Sequence, residues 1–447
     1  MQTFRDIFQY HLNTGKHTCE TLAGKCGISV ARLDAFLAST ASPGVEELTL
    51  LADALAINPA DLMPDETNTE KGIRYMSARE SKATIREIYR KKGNREIHYY
   101  SYRDTAFSKS TPHAKGVILD IRCTAEDDVV QNNGHFQDAL TLVLKGRIKG
   151  YWVDGSGRSF SRVLETGHSY FARGYVPHTY RSFSDQDIGQ ILSFTFTQHI
   201  SGEVQKDLSR LGNDRAKENI SSTNPYSNLL SCHMNNSMLK IPELAEATGI
   251  ERTRIAAFIE LNVIPAFYEL DAIANALNIS TGELIPVISD SDNGLIHLTQ
   301  AESLKKLRRL RDAQRNVRYE VRDLANTKEA SNFRAHHITV SSDVISDNYD
   351  IFSTEHTLIF ALKNQARLTW LFDGQSHSIE LQEYDSVYIE PFIRFTLTSS
   401  NRGEVVRFQY PSLSAGDARK EMFIKGTPAI ERLVSEQRPW ADRQTSK

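Results

Sequence analysis

Apolar residues recur at helical spacing in two short stretches of the chain and at alternate positions in two longer ones. Between Thr18 and Leu62, the residues Leu33, Phe36 and Leu37 share one helix face, and Leu48, Leu51, Leu55 and Ile57 form the buried stripe of a further helix predicted over 46–57. The pattern returns after residue 243: Glu243 to Ile250 parallels Thr21 to Ile28, Arg254, Ile255 and Phe258 follow as a second helix, and Leu270 to Ile279 matches Leu50 to Ile57. From Ile97 to Thr197 and again from Phe333 to Tyr410, short runs of Tyr, Val, Ile and Phe alternate with polar residues, broken by turn signals such as Asp154-Gly155-Ser156-Gly157. Leu144 to Trp152 answers Leu362 to Trp370, and Val176-Pro177-His178 answers Glu390-Pro391-Phe392. The displacement is about 220 residues, half the chain, so the sequence is a duplication and not a solenoid of short repeats.

In each half the helical stretch resembles a helix-turn-helix, with Gly27 and Gly249 where the turn needs a residue tolerant of positive φ. Many short strands that must bury one face predict a barrel or jelly roll. The expected class is therefore α+β, helical module then barrel, twice: residues 1–66 helical, 67–205 the first barrel, 206–298 a linker and the second helical module, 299–425 a helix and the second barrel, 426–447 a tail. Residues 213–228 read as a polar connector, 301–326 as a charged helix, and the segment after 415 carries little pattern.

With 40% hydrophobic and 24% charged residues the composition is that of a soluble globular protein. No stretch reaches the roughly 18 apolar residues of a membrane span, and the N-terminus lacks an apolar signal core. The four cysteines, Cys19, Cys26, Cys123 and Cys232, are too scattered for a disulfide framework or a thiolate zinc site, which fits a reducing cytoplasm. A net charge of −3 is unlike that of a protein living on DNA, whose affinity comes largely from phosphate neutralisation. The recognition helix around residues 30–37 offers Arg32 beside Asp34, and its repeat offers Arg252 and Arg254 between Glu251 and Glu260, a poor set for reading bases.

The first barrel carries the chemistry. Asn132-Asn133-Gly134-His135, followed by the apolar run to Leu144 and the turn Lys145-Gly146, resembles the first cupin motif. Gly167 to Tyr180, with Pro177-His178 near its end, resembles the second. One histidine on a barrel strand is most often a satisfied core residue. Two, 43 residues apart at the places where a barrel brings distant strands together, point to one metal ion, and neutral imidazoles suit iron(II). In the second half Phe392 takes the place of the Pro-His histidine and only Glu355 and His356 remain near the first motif, which predicts a metal-free, structural barrel.

The order of modules, Asn132 to His135 and Pro177 to Tyr180 together resemble the family of 2-hydroxyethylphosphonate dioxygenase and methylphosphonate synthase. The resemblance implies an iron(II) oxygenase that uses O2, without 2-oxoglutarate, to cleave the carbon–carbon bond of 2-hydroxyethylphosphonate. One branch yields hydroxymethylphosphonate and formate, the other methylphosphonate and carbon dioxide. It implies phosphonate-binding positions at Lys16, Tyr102, Asn132 and Ser193, and an arginine for which Arg95 is the choice and Lys92 the second. Such residues supply the cations and fixed donors that a dianion needs. The third iron ligand departs from the family: Ala172 stands where one branch has glutamate, and Ala139 where the other has glutamine. Two-residue alternation would turn Gln137 inward with His135 and Asp138 outward, so Gln137 is the local choice for the metal, with His168, Gln131 or a non-protein ligand as alternatives. The missing carboxylate tips the expected product toward methylphosphonate. The competing reading is a transcriptional regulator with a ligand-sensing cupin; nucleic acid and membrane are not expected partners, and a homo-oligomer is left open.

Overall fold

The turns close the helical modules as their glycines require. In the first, α1 (Phe4–Gly15), α2 (Cys19–Cys26), α3 (Val30–Leu37) and α4 (Val45–Leu55) surround Phe8, Leu22, Leu33, Phe36 and Leu51. Gly27 caps α2 at φ 71, the left-handed region where a side chain is strained. After the first barrel come α6 (Gly202–Leu211), α7 (Asn213–Asn219) and the second module, α8 (Pro225–Asn236), α9 (Ile241–Thr248), α10 (Arg252–Glu260) and α11 (Phe267–Leu277); Gly249 caps α9, again at φ 71. The computed structural model describes residues 3–440 apart from 199, 201, 220–223, 262, 292, 346–348 and 413–415.

Each barrel joins a seven-stranded to a three-stranded antiparallel sheet. The first-half strands are β1 (Ile73–Met76), β2 (Arg86–Lys92), β3 (Arg95–Asp104), β4 (Lys115–Ile121), β5 (Asp138–Lys145), β6 (Arg147–Val153), β7 (Ser159–Glu165), β8 (Ser169–Ala172), β9 (His178–Ser182) and β10 (Gln190–Phe196), with α5 (Ala78–Ala83) between β1 and β2. The second-half strands are β11 (Leu295–Leu298), β12 (Arg308–Arg311), β13 (Val317–Asp323), β14 (Arg334–Val340), β15 (His356–Lys363), β16 (Ala366–Phe372), β17 (Gln375–Leu381), β18 (Ser386–Ile389), β19 (Arg394–Thr398) and β20 (Glu404–Tyr410), with α12 (Gln300–Lys305) between β11 and β12. The large sheets run β11-β8-β5-β10-β4-β3-β2 and β1-β18-β15-β20-β14-β13-β12. The halves thus exchange their leading strands: β1 pairs with β18, and β11 pairs with β8, Leu295 opposite Ala172 and His297 opposite Tyr170.

Strand alternation gives each large sheet two apolar faces. Leu140, Phe171, Leu192, Phe194 and Phe196 on one sheet meet Phe333, Phe360, Val406, Phe408 and Tyr410 on the other, with Phe196 stacked on Phe333 at 4.1 Å between centroids. Each fully buried Phe contributes on the order of 1.5–3 kcal/mol, so this seam binds the barrels back to back. The opposite faces line the barrel interiors.

The expected charged helix over 301–326 is corrected: only α12 is helical, and β12 and β13 form a hairpin. Arg308 pairs with Asp323 at 2.7 Å and Arg309 with Glu320 at 3.0 Å across the strands, so the charges face each other over an exposed edge and not along a helix. The expected connector over 213–228 contains α7 and the start of α8, and the tail forms α13 (Gly416–Lys425) and α14 (Thr427–Val434). Beyond α14 the chain docks on α1: Ser435 Oγ donates to Asp6, and Asn13 donates to the Arg438 carbonyl and accepts from the Trp440 N–H.

Candidate metal centre in the first barrel

Two loops carry the histidines and lie back to back. The Tyr175 N–H donates to the His135 carbonyl at 2.6 Å. A Cβ on Gly174 would fall 2.3 Å from the Phe136 oxygen, and one on Gly134 (φ 74) 2.6 Å from the Tyr175 backbone, so both glycines are needed for this approach. His135 lies three residues before β5 rather than within it, and His178 opens β9. Their rings are 5.1 Å apart and nearly perpendicular. His135 Nδ1 lies 2.8 Å from the Gln137 carbonyl and His178 Nδ1 2.8 Å from the Val176 carbonyl. Those acceptors place the proton on Nδ1 of both rings and leave each Nε2 lone pair available, the arrangement by which protein carbonyls orient metal-binding imidazoles. Burial first, with His135 and Arg90 adding to it, pushes the His178 pKa down to about 4, so the ring is neutral and ready to ligate near neutral pH.

Asn132 is locked from the other side. Its Oδ1 accepts from the Gly134 and His178 N–H groups, each at 2.9 Å, and its Nδ2 is 3.5 Å from His178 Nε2. The amide therefore faces the space in front of the imidazoles. Tyr102 is pushed above the usual phenol pKa by burial, against the pull of Arg90 and Arg86, so it is a neutral donor. Ser193 Oγ accepts from Thr141 Oγ1 across the β5–β10 pair at 3.1 Å. Tyr102 and Ser193 lie on strands β3 and β10 of this same barrel, as expected.

The expected arginine lies away from the histidines. Arg95 sits at the tip of the β2–β3 hairpin, two-thirds exposed and paired with Asp128, and Lys92 reaches the Asp127 carbonyl in the same exposed hairpin. Arg90 turns inward instead. Its guanidinium lies 4.2 Å from the Tyr99 ring centroid and donates to Thr179 Oγ1 at 3.0 Å and to the Val130 carbonyl. The β2–β3 pair carries a β-bulge, with Tyr99 the extra residue of β3 between the Ile88–Tyr100 and Tyr89–His98 pairs, and both Tyr99 and Tyr100 are buried where Arg90 lies against them. Lys16 is exposed at the left-handed cap of α1, with Nζ 5.5 Å from the Trp440 ring, on the helical module.

The third-ligand positions meet in the fold. Ala139 and Ala172, both buried, are directly opposite each other in the β5–β8 pair, and Ala172 lines a small cavity with His178, Trp152, Tyr170, Tyr180 and Leu295. Asp138 faces away, accepting from the Gly174 N–H and Gln198 Nε2. His168 is drawn off to the exchanged strand, its Nδ1 3.3 Å from His297 Nε2. Among the described residues no group of three or more His, Cys, Asp or Glu gathers to hold a metal. The donor set fits iron(II) through the two imidazoles, with the rest of the coordination sphere left to an amide or to non-protein ligands.

In the second barrel the Pro-His counterpart needs re-registering. Trp152 pairs with His178, and its equivalent Trp370 pairs with Phe395, so Phe395 and not Phe392 replaces the histidine. Phe392 matches Tyr175: both have positive φ, and the Phe392 N–H donates to Ser353 as that of Tyr175 does to His135. Ser353 thus replaces His135, while His356 bonds to Tyr388 and Glu355 pairs with Arg419.

A duplicated helical–cupin chain with one two-histidine pocket defines the class, and comparison with known proteins bears out the resemblance. Residues 82–196 match the 2-hydroxyethylphosphonate dioxygenase cupin-like domain family, and residues 233–290 the Cro/C1-type helix-turn-helix DNA-binding domain. A methylphosphonate synthase of Nitrosopumilus maritimus is 26% identical over 451 residues, spanning 97% of this chain and 94% of the relative. The 2-hydroxyethylphosphonate dioxygenase of Streptomyces viridochromogenes is 25% identical over 401 residues, 86% of each chain. The fold is that of the Streptomyces albus enzyme HEPD solved with 2-hydroxyethylphosphonate and Fe(II) bound, with TM-score 0.88 at 22% identity over 98% of both chains.

Proposed function

We propose that this protein is a non-haem iron(II), O2-dependent oxygenase that cleaves the carbon–carbon bond of 2-hydroxyethylphosphonate, with methylphosphonate as the preferred product. The observation that carries this is the pair His135 and His178, each with Nδ1 tied to a carbonyl, facing Asn132 and Arg90. Iron(II), when bound, supplies O2 activation. Either product set balances against one O2 with no added reductant, one water being released alongside methylphosphonate and carbon dioxide. In this reading Arg90 takes the phosphonate charge, Tyr102 and the Asn132 amide donate to its oxygens, and Ser193 adds a hydroxyl from β10. Lys16 and Gln137 keep their proposed roles in phosphonate binding and iron ligation. The buried aromatic wall of Tyr100, Tyr170 and Tyr180 excludes water. The preference for methylphosphonate is supported by Ala172, which puts no carboxylate beside His178.

Anaerobic iron loading should give about one iron per chain through the two imidazoles, lost in His135→Ala and His178→Ala. Addition of O2 and 2-hydroxyethylphosphonate should then give methylphosphonate by phosphorus NMR. Stoichiometric iron in both alanine variants would refute the site.

A regulator is the second reading, favoured by the helix-turn-helix match over 233–290. Against it, one arginine of each presumed recognition helix is occupied, Arg32 with Glu47 and Arg254 with Glu269, each at 2.8 Å, which leaves the exposed Arg252 for DNA. A salt-dependent, sequence-specific DNA complex would support it.

A further inference from the structure

The second barrel, stripped of both histidines, carries a buried cation that no described residue neutralises. Arg407 lies on β20, between β14 and β15, on the face that also carries Val405 toward the barrel interior. Its Nε and Nη2 are buried and have no hydrogen-bond partner. Across the neighbouring strands it faces His336 and Ile359, and the Phe395 ring lies 5.9 Å away. On the same face as Ile359, Thr357 has a buried Oγ1 that is also without a partner. Thr357 is opposite Gln409, whose amide is already spent on Ser353 at 2.7 Å.

Among the described residues no carboxylate pairs with this charge. On β13, one strand beyond β14, Asp323 is held by both terminal nitrogens of Arg308 at 2.9 and 2.7 Å and sits 3.4 Å from His336. His336 is kept neutral by burial, with Arg407, Arg308 and Arg334 opposing its protonation. Burial alone depresses the Arg407 pKa, to about 10. A guanidinium buried without a counter-ion is costly, and buried polar groups are as a rule satisfied. The free Nε–Nη2 edge presents two parallel N–H donors spaced for two oxygens of one oxyanion, and the Thr357 hydroxyl, on the same face of the neighbouring strand β15, adds a third donor. Three donors drawn from two strands suit an anion with several oxygens, such as a tetrahedral phosphate. The register adds weight: Arg407 opposite Ile359 occupies the place that Ser193 opposite Thr141 holds in the first barrel.

We propose that the second barrel binds a tetrahedral oxyanion of the phosphate or phosphonate type on Arg407 and Thr357, independently of iron. The test is calorimetric titration of the full-length, iron-loaded protein with inorganic phosphate. Wild type should bind two equivalents, one per barrel, while Arg407→Met and Arg90→Met should each bind one. Without phosphate, Arg407→Met should melt no lower than wild type, because a buried unpaired charge has been removed. Thr357→Val, which preserves shape, should weaken the Arg407-dependent equivalent at least about threefold, and it serves if Arg407→Met does not fold. The proposal is overturned if Arg407→Met binds as many equivalents as wild type, if Arg90→Met retains none, or if chloride reproduces the Arg407-dependent response. Loss of catalysis in Arg90→Met with the Arg407 equivalent intact separates failure of the first barrel from failure of the second.

Discussion

Arg90 and Arg95 are five residues apart on one hairpin and have opposite situations. Arg90 stacks on Tyr99 and reaches Thr179, next to His178, whereas Arg95 holds a surface pair with Asp128. Removing a buried charge-assisted bond to a dianion costs about 1.5–3 kcal/mol, and an exposed pair about 0–1. Arg90→Met should therefore lower kcat/KM by about ten- to a hundredfold, mostly through KM, while Arg95→Ala stays within about twofold. Equal losses in steady-state assays of the two variants would return the phosphonate to the hairpin tip. At Ala172 the side chain faces the cavity beside His178. Ala172→Glu should tighten iron retention and raise the share of hydroxymethylphosphonate seen by phosphorus NMR, at a stability cost of about 1–3 kcal/mol for overpacking. An unchanged product ratio would show that the missing carboxylate does not set the outcome.

At the scale of elements, the exchanged strand β11 walls the two-histidine pocket from the other half of the chain. Leu295 lines the cavity and pairs with Ala172, and His297 engages His168. As the outermost strand of its sheet, β11 is held on one side only. Ile296→Pro removes a donor in mid-strand and should destabilise the fold by about 1–3 kcal/mol. It should also speed iron loss to a chelator, although residue 296 touches neither histidine. Unaltered chelation kinetics would show that β11 plays no part in holding the pocket. The helical elements point the other way. One arginine of each recognition helix is held within its own module, Arg32 by Glu47 and Arg254 bidentate by buried Glu269, which lowers the number of cations left for a phosphate backbone.

Across the whole molecule, four histidines share one electrostatic fate. His178, His297, His336 and His356 are each pushed down to about 4, in every case chiefly by burial. The folded protein keeps them neutral, while the unfolded chain protonates them near the ordinary 6.5. Their contribution to stability is complete above that value and is lost as pH falls from there toward 4. Denaturant midpoints should accordingly drop between neutral pH and about pH 5, and His356→Gln should flatten the slope. A midpoint constant over that range would contradict the burial of these rings. The window lies above that of the paired carboxylates such as Glu47, held near 2 first by its bond to Arg32, whose stabilising effect persists until lower pH.

What the sequence determined by itself is what depends on neighbours along the chain. Helical periodicity, the positive-φ glycines at 27 and 249, the alternating strands, the duplication and the two histidines at the ends of their motifs are all local patterns, and they are present in the structure. Even the outward facing of Asp138 followed from two-residue alternation. Tertiary structure decided the rest. Strand pairing turned Arg90 inward against Tyr99 and Tyr100, at a bulge in β3, and left Arg95 in a surface pair with Asp128. Strand pairing put Phe395, and not Phe392, in the place of a histidine, and it set Ala139 against Ala172, which lie 33 positions apart in the chain. The exchange of β1 and β11 and the unpaired charge of Arg407 arise from pairings between residues far apart in sequence, and no pattern within either half encodes them.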